Sequence, residues 1–262
     1  DDYTYLPADG TRGGILLAWK SRAVTITDPM FTTNAITAKV TTATGTPWWL
    51  TVVYGPQEDA DKVAFLQELR EIRAECPEPW MVCGDFNLIL RNDDKNTGNI
   101  NRRMMGKFRR LTNDLALKEI YLNGRRYTWS NEQSPSTLVQ LDRVLCTADW
   151  EDAHSGCHLR CLAAVVSDHA PLLLDCSPTH GFTLRSTGFA WMGDHGMGLY
   201  TPRRSLPPPH ATAPSDDDAP HQLVLQVHGQ YQGQTRDLTG THLALRPRPG
   251  ITQPLATGGL AP

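Results

Sequence analysis

Apolar and polar residues alternate in blocks that divide the first two thirds of the chain into short strands and two helices. Residues 13–19 form an apolar run rich in Ile and Leu, residues 36–40 alternate, and residues 48–54 are apolar and β-prone up to Gly55-Pro56. Runs of this length bounded by turn residues predict strands. Thr44-Gly45-Thr46-Pro47 predicts a hairpin between the second and third of them. Phe65, Leu69 and Ile72 then recur at helical spacing, with Asp59 or Asp61 as a cap and Cys76-Pro77 as a stop. A short apolar run at 80–83 leads into Gly84-Asp85-Phe86-Asn87. A second helix is predicted from Arg102, with Met104, Phe108, Leu111 and Leu115 on one face. Asn123-Gly124 predicts a tight turn, and residues 127–130, 138–146 and 172–175 predict further strands. Strands, helix, strand, helix and strands in that order predict a mixed α/β layered fold, not a regular βαβ repeat.

The pattern breaks near Cys176. Residues 177–262 contain 11 Pro and 11 Gly and no Lys, Glu or Cys. About a quarter Pro plus Gly, with Pro207-Pro208-Pro209 and Ser215-Asp216-Asp217-Asp218, predicts a disordered low-complexity tail. Within it only residues 222–227 read as a strand. The expected organisation is a folded domain at 1–176 and a tail at 177–262. Six of the nine His fall in the tail at irregular spacing, which gives no support to a metal site there.

Charge narrows the function classes. A formal charge of −3 and a pI near 6.3 exclude a large passive electrostatic binder of nucleic acid, but not a local basic patch. None of the six Cys forms a CxxC pair, which argues against zinc. With no signal peptide the expectation is reduced thiols and an intracellular location; a nuclear one stays open without a targeting signal. No apolar run approaches the ~20 residues of a membrane helix.

Several polar residues stand where strands end. Tyr54 closes one apolar run, and Asp85 and Asn87 follow another. Asp142 interrupts residues 139–145, and Asp168-His169 separates two further apolar runs. A single Asp after a strand is ordinarily a turn former or cap. Three carboxylates and a His at buried strand ends are costly unless paired or bound to a metal, and so suggest one convergent site.

The ordered set Val53-Tyr54-Gly55-Pro56, Gly84-Asp85-Phe86-Asn87, Tyr127-Thr128-Trp129-Ser130, Leu141-Asp142-Arg143 and Ser167-Asp168-His169-Ala170-Pro171 resembles the endonuclease/exonuclease/phosphatase superfamily. The wording of residues 11–19 and of Thr128-Trp129-Ser130 is similar to endonuclease domains of plant LINE-type retrotransposons. The resemblance covers residues 3–176. It implies an α/β (α+β), four-layered sandwich of two β-sheets flanked by helices, and hydrolysis of phosphate esters with Mg²⁺ or Mn²⁺. It implies that Asp85 orients and deprotonates the attacking water, that Asn87 hydrogen-bonds the phosphate or that water, and that Tyr54 donates to a phosphate oxygen. His169, oriented by Asp142, stabilises phosphoryl charge, and Asp168 contributes to the metal site.

The same resemblance places an Asn-bearing strand, a helix and a strand ending in Gln-Glu before residue 12, and that Glu is the principal metal ligand. The first Glu here is Glu58. The expectation is therefore an N-terminally truncated domain, lacking its first strands and helix, with weakened metal binding. The absent strands would be interior to one sheet, so its loss predicts open edges and an open core.

Arg103, Lys107 and Arg110 share the outer face of the second helix, and Arg125 and Arg126 flank the Asn123-Gly124 turn. These are the candidate contacts to DNA phosphates; otherwise the helix is an ordinary solvated one. Trp48, Trp49 and Trp129 are expected in the core. The leading expectation is a DNA-nicking endonuclease of retroelement origin, weak or inactive through loss of that Glu. The alternatives are a phosphatase for a small ester and a non-catalytic remnant that binds nucleic acid or partners.

Overall fold

The computed structural model describes residues 2–9, 13–43, 45–163 and 167–176, with the backbone of two strands at 222–227 and 240–246. Among these, β1 (Asp2–Leu6) pairs with β2 (Gly14–Trp19), and β3 (Val24–Phe31), β4 (Ala35–Thr42) and β5 (Trp48–Tyr54) form an antiparallel meander. Helix α1 (Asp59–Glu75) crosses to β6 (Trp80–Asp85), which lies parallel to β5. Helix α2 (Arg102–Asp114) precedes short strands β7 (Lys118–Glu119), β8 (Leu122–Asn123), β9 (Trp129–Ser130) and β10 (Leu138–Val139). Then come β11 (Asp142–Cys146), α3 (Ala148–Ala153), β12 (His158–Cys161), β13 (Leu172–Asp175), β14 (Gln222–Val227) and β15 (Gly240–Arg246).

Two larger sheets result among the described residues, in the orders β3-β4-β5-β6-β11-β7 and β1-β2-β15-β14-β13-β12-β8. They pack face to face. Ile15, Leu17, Leu159, Leu172 and Leu174 of one sheet meet Ile36, Leu50, Val52, Met81 and Val144 of the other in one core. The opposite face of the first sheet, with Val53, Trp80, Val82 and Leu145, is covered by Phe65, Leu69 and Ile72 of α1 and Met104, Phe108 and Leu111 of α2. The period of two on strands and of 3.6 on helices thus assigns the faces as the sequence predicts. The mixed α/β layered expectation holds. The described helices α1 and α2 supply one flanking layer.

Local chemistry explains where the elements differ from expectation. Glu58 is the N-cap of α1, so Asp59 and Asp61 fall inside its first turn, where carboxylates suit the helix dipole. Strand β3 escaped prediction because Asp28-Pro29 breaks its pattern; the pairing shifts there and Asp28 has φ 51. Cys157 and Cys176 are joined by a disulfide, correcting the expectation of reduced thiols. The cause is register: His158 faces Asp175 across β12 and β13, which brings the next residue on each strand together.

The expected open seam is also absent. β15 runs parallel to β2 and β14 antiparallel to β13, so two tail strands occupy the interior of the sheet. Residues 222–227 are a strand as the sequence predicts. Residues 240–246, read from the sequence as part of the disordered tail, form a second strand, and the tail's other residues lie outside those described. With strands spaced about 4.8 Å apart, removing both would leave β2 and β13 as facing bare edges over the main core. A chain ended after Pro178 should lose amide exchange protection at Ile15–Leu17 and Leu172–Leu174 relative to the full chain. Equal protection in hydrogen–deuterium exchange would contradict this.

Candidate active site

The site forms where β5, β6 and β11 end together. Tyr54 is the Cα partner of Asp85 across the parallel β5–β6 pair, and Asp85 is the Cα partner of Asp142 across the antiparallel β6–β11 pair. Close strand approach requires glycine at two points. A Cβ on Gly84 would lie 2.1 Å from the Val53 carbonyl oxygen, and one on Gly55 would lie 2.3 Å from that of Phe86. The Gly55 N–H donates to the Asp85 carbonyl at 2.7 Å, tying the end of β5 to the site.

Asp85 is 1 % exposed. Asn87, at φ 49 in the left-handed region that Asn tolerates, closes over it. The Asn87 backbone N–H donates to Asp85 Oδ1 at 2.8 Å and its Nδ2 to Oδ2 at 3.0 Å. Nδ2 also donates to the Gly55 carbonyl at 2.8 Å. Both amide hydrogens of Asn87 are therefore engaged, leaving Oδ1 to face a ligand or water.

Asp142, also 1 % exposed, binds His169 Nδ1 through Oδ2 at 2.9 Å. Its Oδ1 is buried and has no hydrogen-bond partner among the described residues. Arg143 does not pair with Asp142. Alternation along β11 sends it to the opposite face, where its fully buried guanidinium meets Asp94 and Glu119. Asp168 Oδ2 accepts from the Trp129 indole N–H at 2.8 Å, and the Asp168 carbonyl accepts from Ser130 N–H at 3.0 Å. The structure thus gathers Tyr54, Asp85, Asn87, Asp142, Asp168 and His169 into one neighbourhood.

Trp129 was expected in the core, yet it is half-buried with its polar edge on a site carboxylate. Thr128, which no chemistry singled out, is buried and accepts from the N–H groups of Leu141 and Asp142. The Tyr127-Thr128-Trp129-Ser130 marker was the available signal for both.

Burial, and after it the crowding of carboxylates, sets the electrostatics. Burial, then the charge of Asp142, pushes Asp85 up to about 7, although His169 and the Asn87 N–H pull it down. Burial pulls His169 down, but the charge and hydrogen bond of Asp142, with Asp85 and Asp168, outweigh it and raise it to about 9. Burial, then Asp85, Asp168 and Asp142, raises Tyr54 to about 12, so its hydroxyl keeps its proton.

The donor set does not complete a metal site. Among the described residues no three His, Cys, Asp or Glu side chains group so as to hold a metal ion. Both Asp85 oxygens serve Asn87, one Asp168 oxygen serves Trp129, and one Asp142 oxygen serves His169. The residues present therefore do not fit Mg²⁺ or Mn²⁺ as a full ligand set.

Arg103 and Arg110 on α2 are exposed and Lys107 is half-exposed; no ion pair among the described residues involves them. Arg125 and Arg126 are exposed, with Arg126 paired to Asp93 at 2.6 Å. Beside the site, Tyr54 and Gly55 line a cavity of about 710 Å³ shared with Asn34, Glu58 and Glu68. No helix among the described residues is long and apolar enough to cross a membrane.

Because His169 is raised from 6.5 to about 9, its stabilising effect is complete below pH 6.5 and is lost as pH rises through 9. The contribution is about 3 kcal/mol. Thermal stability should fall across that window, and His169→Gln should flatten the profile; a parent protein that gains stability from pH 6.5 to 9 would contradict the assignment.

The model of the Endonuclease/Exonuclease/phosphatase family matches residues 1–169. Comparison with curated proteins gives no match. Among solved structures, the endonuclease domain of TRAS1, a telomere-specific non-LTR retrotransposon, is 15% identical, with TM-score 0.48, covering 58% of this chain and 68% of that one. A family protein from Bacteroides thetaiotaomicron is 13% identical, with TM-score 0.45, covering 65% and 73%. ANGEL2, a 2',3'-cyclic phosphatase, is 11% identical, with TM-score 0.38, covering 65% of each chain. With the family model spanning well over half of its length, the chain belongs to the Endonuclease/Exonuclease/phosphatase family.

Proposed function

We propose that this chain is a phosphodiester hydrolase of the DNA-nicking endonuclease type, of retroelement origin, with weak activity in Mg²⁺ or Mn²⁺. The observation that carries the reading is the buried Asp142–His169 hydrogen bond of 2.9 Å set beside Asp85. Family membership and the motif order support the reaction class. The LINE-like wording of residues 11–19 and of Thr128-Trp129-Ser130 supports the retroelement origin.

Each step rests on this chain's own groups. Asp85, raised to about 7, is matched to take a proton from an attacking water near neutral pH. Asn87 holds that carboxylate and offers Oδ1 to the water's second hydrogen. His169, cationic at neutral pH and oriented by Asp142, donates to a phosphoryl oxygen as negative charge builds there. Tyr54 remains a neutral hydroxyl donor. No step runs through a metal, because the described donors do not assemble one. That shortfall is the reason for expecting weak turnover.

DNA is favoured over a small ester by Arg103, Lys107 and Arg110, which make no ion pair among the described residues, and by exposed Arg125. Such groups neutralise phosphates and release counterions. In a supercoiled-plasmid assay with Mg²⁺ or Mn²⁺, the full chain should nick slowly. His169→Ala and Asp85→Asn should each lower the rate by about 10²-fold or more. Nicking that survives His169→Ala would remove the assigned site. No nicking, with DNA binding unchanged by Asp85→Ala, would favour a non-catalytic remnant. Replacing Arg103, Lys107 and Arg110 together by Ala should reduce the salt slope of DNA affinity by about one per lost phosphate contact. An unchanged slope would remove α2 from the interface.

A further inference from the structure

The dipeptide Thr128-Trp129 has polar groups that reach both halves of the site, and the steps above use neither residue. Thr128 is 1 % exposed. Its Oγ1 accepts from the N–H of Leu141 and the N–H of Asp142, each at 3.0 Å. Two lone pairs on one hydroxyl oxygen suit two converging donors. Its N–H donates to the Val139 carbonyl at 3.0 Å, and its own carbonyl accepts from Ala170 N–H at 2.7 Å. One residue therefore fixes the first residue of β11 from one side and the turn carrying His169 from the other.

Trp129 continues the clamp. It pairs with Val139 on β10 and forms a β-bridge to His169, while its indole N–H holds Asp168 Oδ2 at 2.8 Å. Ser130 N–H then holds the Asp168 carbonyl at 3.0 Å. Asp142 and His169 are 27 residues apart in sequence, and among the described residues β11 pairs with β6 and β7 and not with the 168–170 turn. Their 2.9 Å contact is bridged by the segment 128–130 lying between them.

We infer that Thr128 and Trp129 are positioning residues: the Thr128 hydroxyl sets Asp142 against His169, and the Trp129 indole fixes the Asp168 carboxylate. The role rests on the phosphoester reading of the site, but its geometry can be tested without turnover. Neither residue touches the reacting atoms. Thr128 acts by holding the backbone from which Asp142 projects, and Trp129 by denying the Asp168 carboxylate its other orientations, so the cost of ordering is met before a substrate arrives.

The test uses proton and ¹⁵N NMR of the full chain. His169 Nδ1–H donates to Asp142 Oδ2, and this buried proton should give a downfield resonance. Thr128→Val, which keeps the shape and removes the acceptor, should abolish that resonance or broaden it beyond detection. Thr128→Ser should retain it, and the indole signal of Trp80 reports whether the core stays folded. If Thr128→Val fails to fold, Trp129→Phe and Asp168→Asn carry the decision. The first identifies the Trp129 indole N–H signal; the second should move that signal upfield and speed its exchange. Retention of the His169 resonance in folded Thr128→Val, or an indole signal indifferent to Asp168→Asn, would overturn the inference. A chain that never nicks DNA would sink the functional reading and leave both resonances to be judged.

Discussion

Asp85 and Asp142 face each other as Cα partners across β6 and β11, and both are almost wholly removed from water. Two buried carboxylates so placed cannot both stay ionised without nearby compensation. The surrounding structure supplies it in parts. His169 places a cation against Asp142, two donors of Asn87 turn to Asp85, and Asp85 itself is shifted toward holding its proton. The glycines at 55 and 84 let the strands approach closely enough for this geometry. A pair of charges that would be a defect in a structural core becomes a site poised to exchange protons near neutrality.

The balance also shows what the site is short of. Its carboxylates spend their oxygens on one another's partners, and Asp142 Oδ1 is left buried and unmatched. A divalent ion would relieve that crowding, yet no three described ligands converge on one. Among the described residues the carboxylates and His169 are therefore assembled without a complete metal-holding set. This is the physical content of the expectation that turnover is weak.

Much of this was legible in the sequence, for reasons that can be named. Asp85, Asn87, Asp142, Asp168 and His169 stand next to apolar runs, where a charged side chain needs a purpose, and their order matches a known set. The packed faces of α1 and α2 followed from a period of 3.6 because only one side of each is buried, whereas β5 and β6, packed on both sides, read as continuous apolar runs. Period two also separates Arg143 from Asp142, although adjacency in sequence invited pairing them. The Cys157–Cys176 disulfide depended on the register of β12 and β13, which no local pattern encodes. Thr128 was hidden because its partners are backbone amides thirteen and fourteen residues away. The placement of β14 and β15 inside the sheet is equally non-local: a strand's sequence gives its propensity and not its neighbours.

The central claim is that His169 and Asn87 make the Asp85–Asp142 pair tolerable while leaving Asp85 able to take a proton near neutral pH. A ¹³C titration of the Asp85 side-chain carboxyl tests it most directly. The account predicts a midpoint near 7 in the parent protein. It predicts a higher midpoint in His169→Gln, where the nearby cation is gone. An Asp85 that titrates near 4, and that ignores the loss of His169, would contradict it.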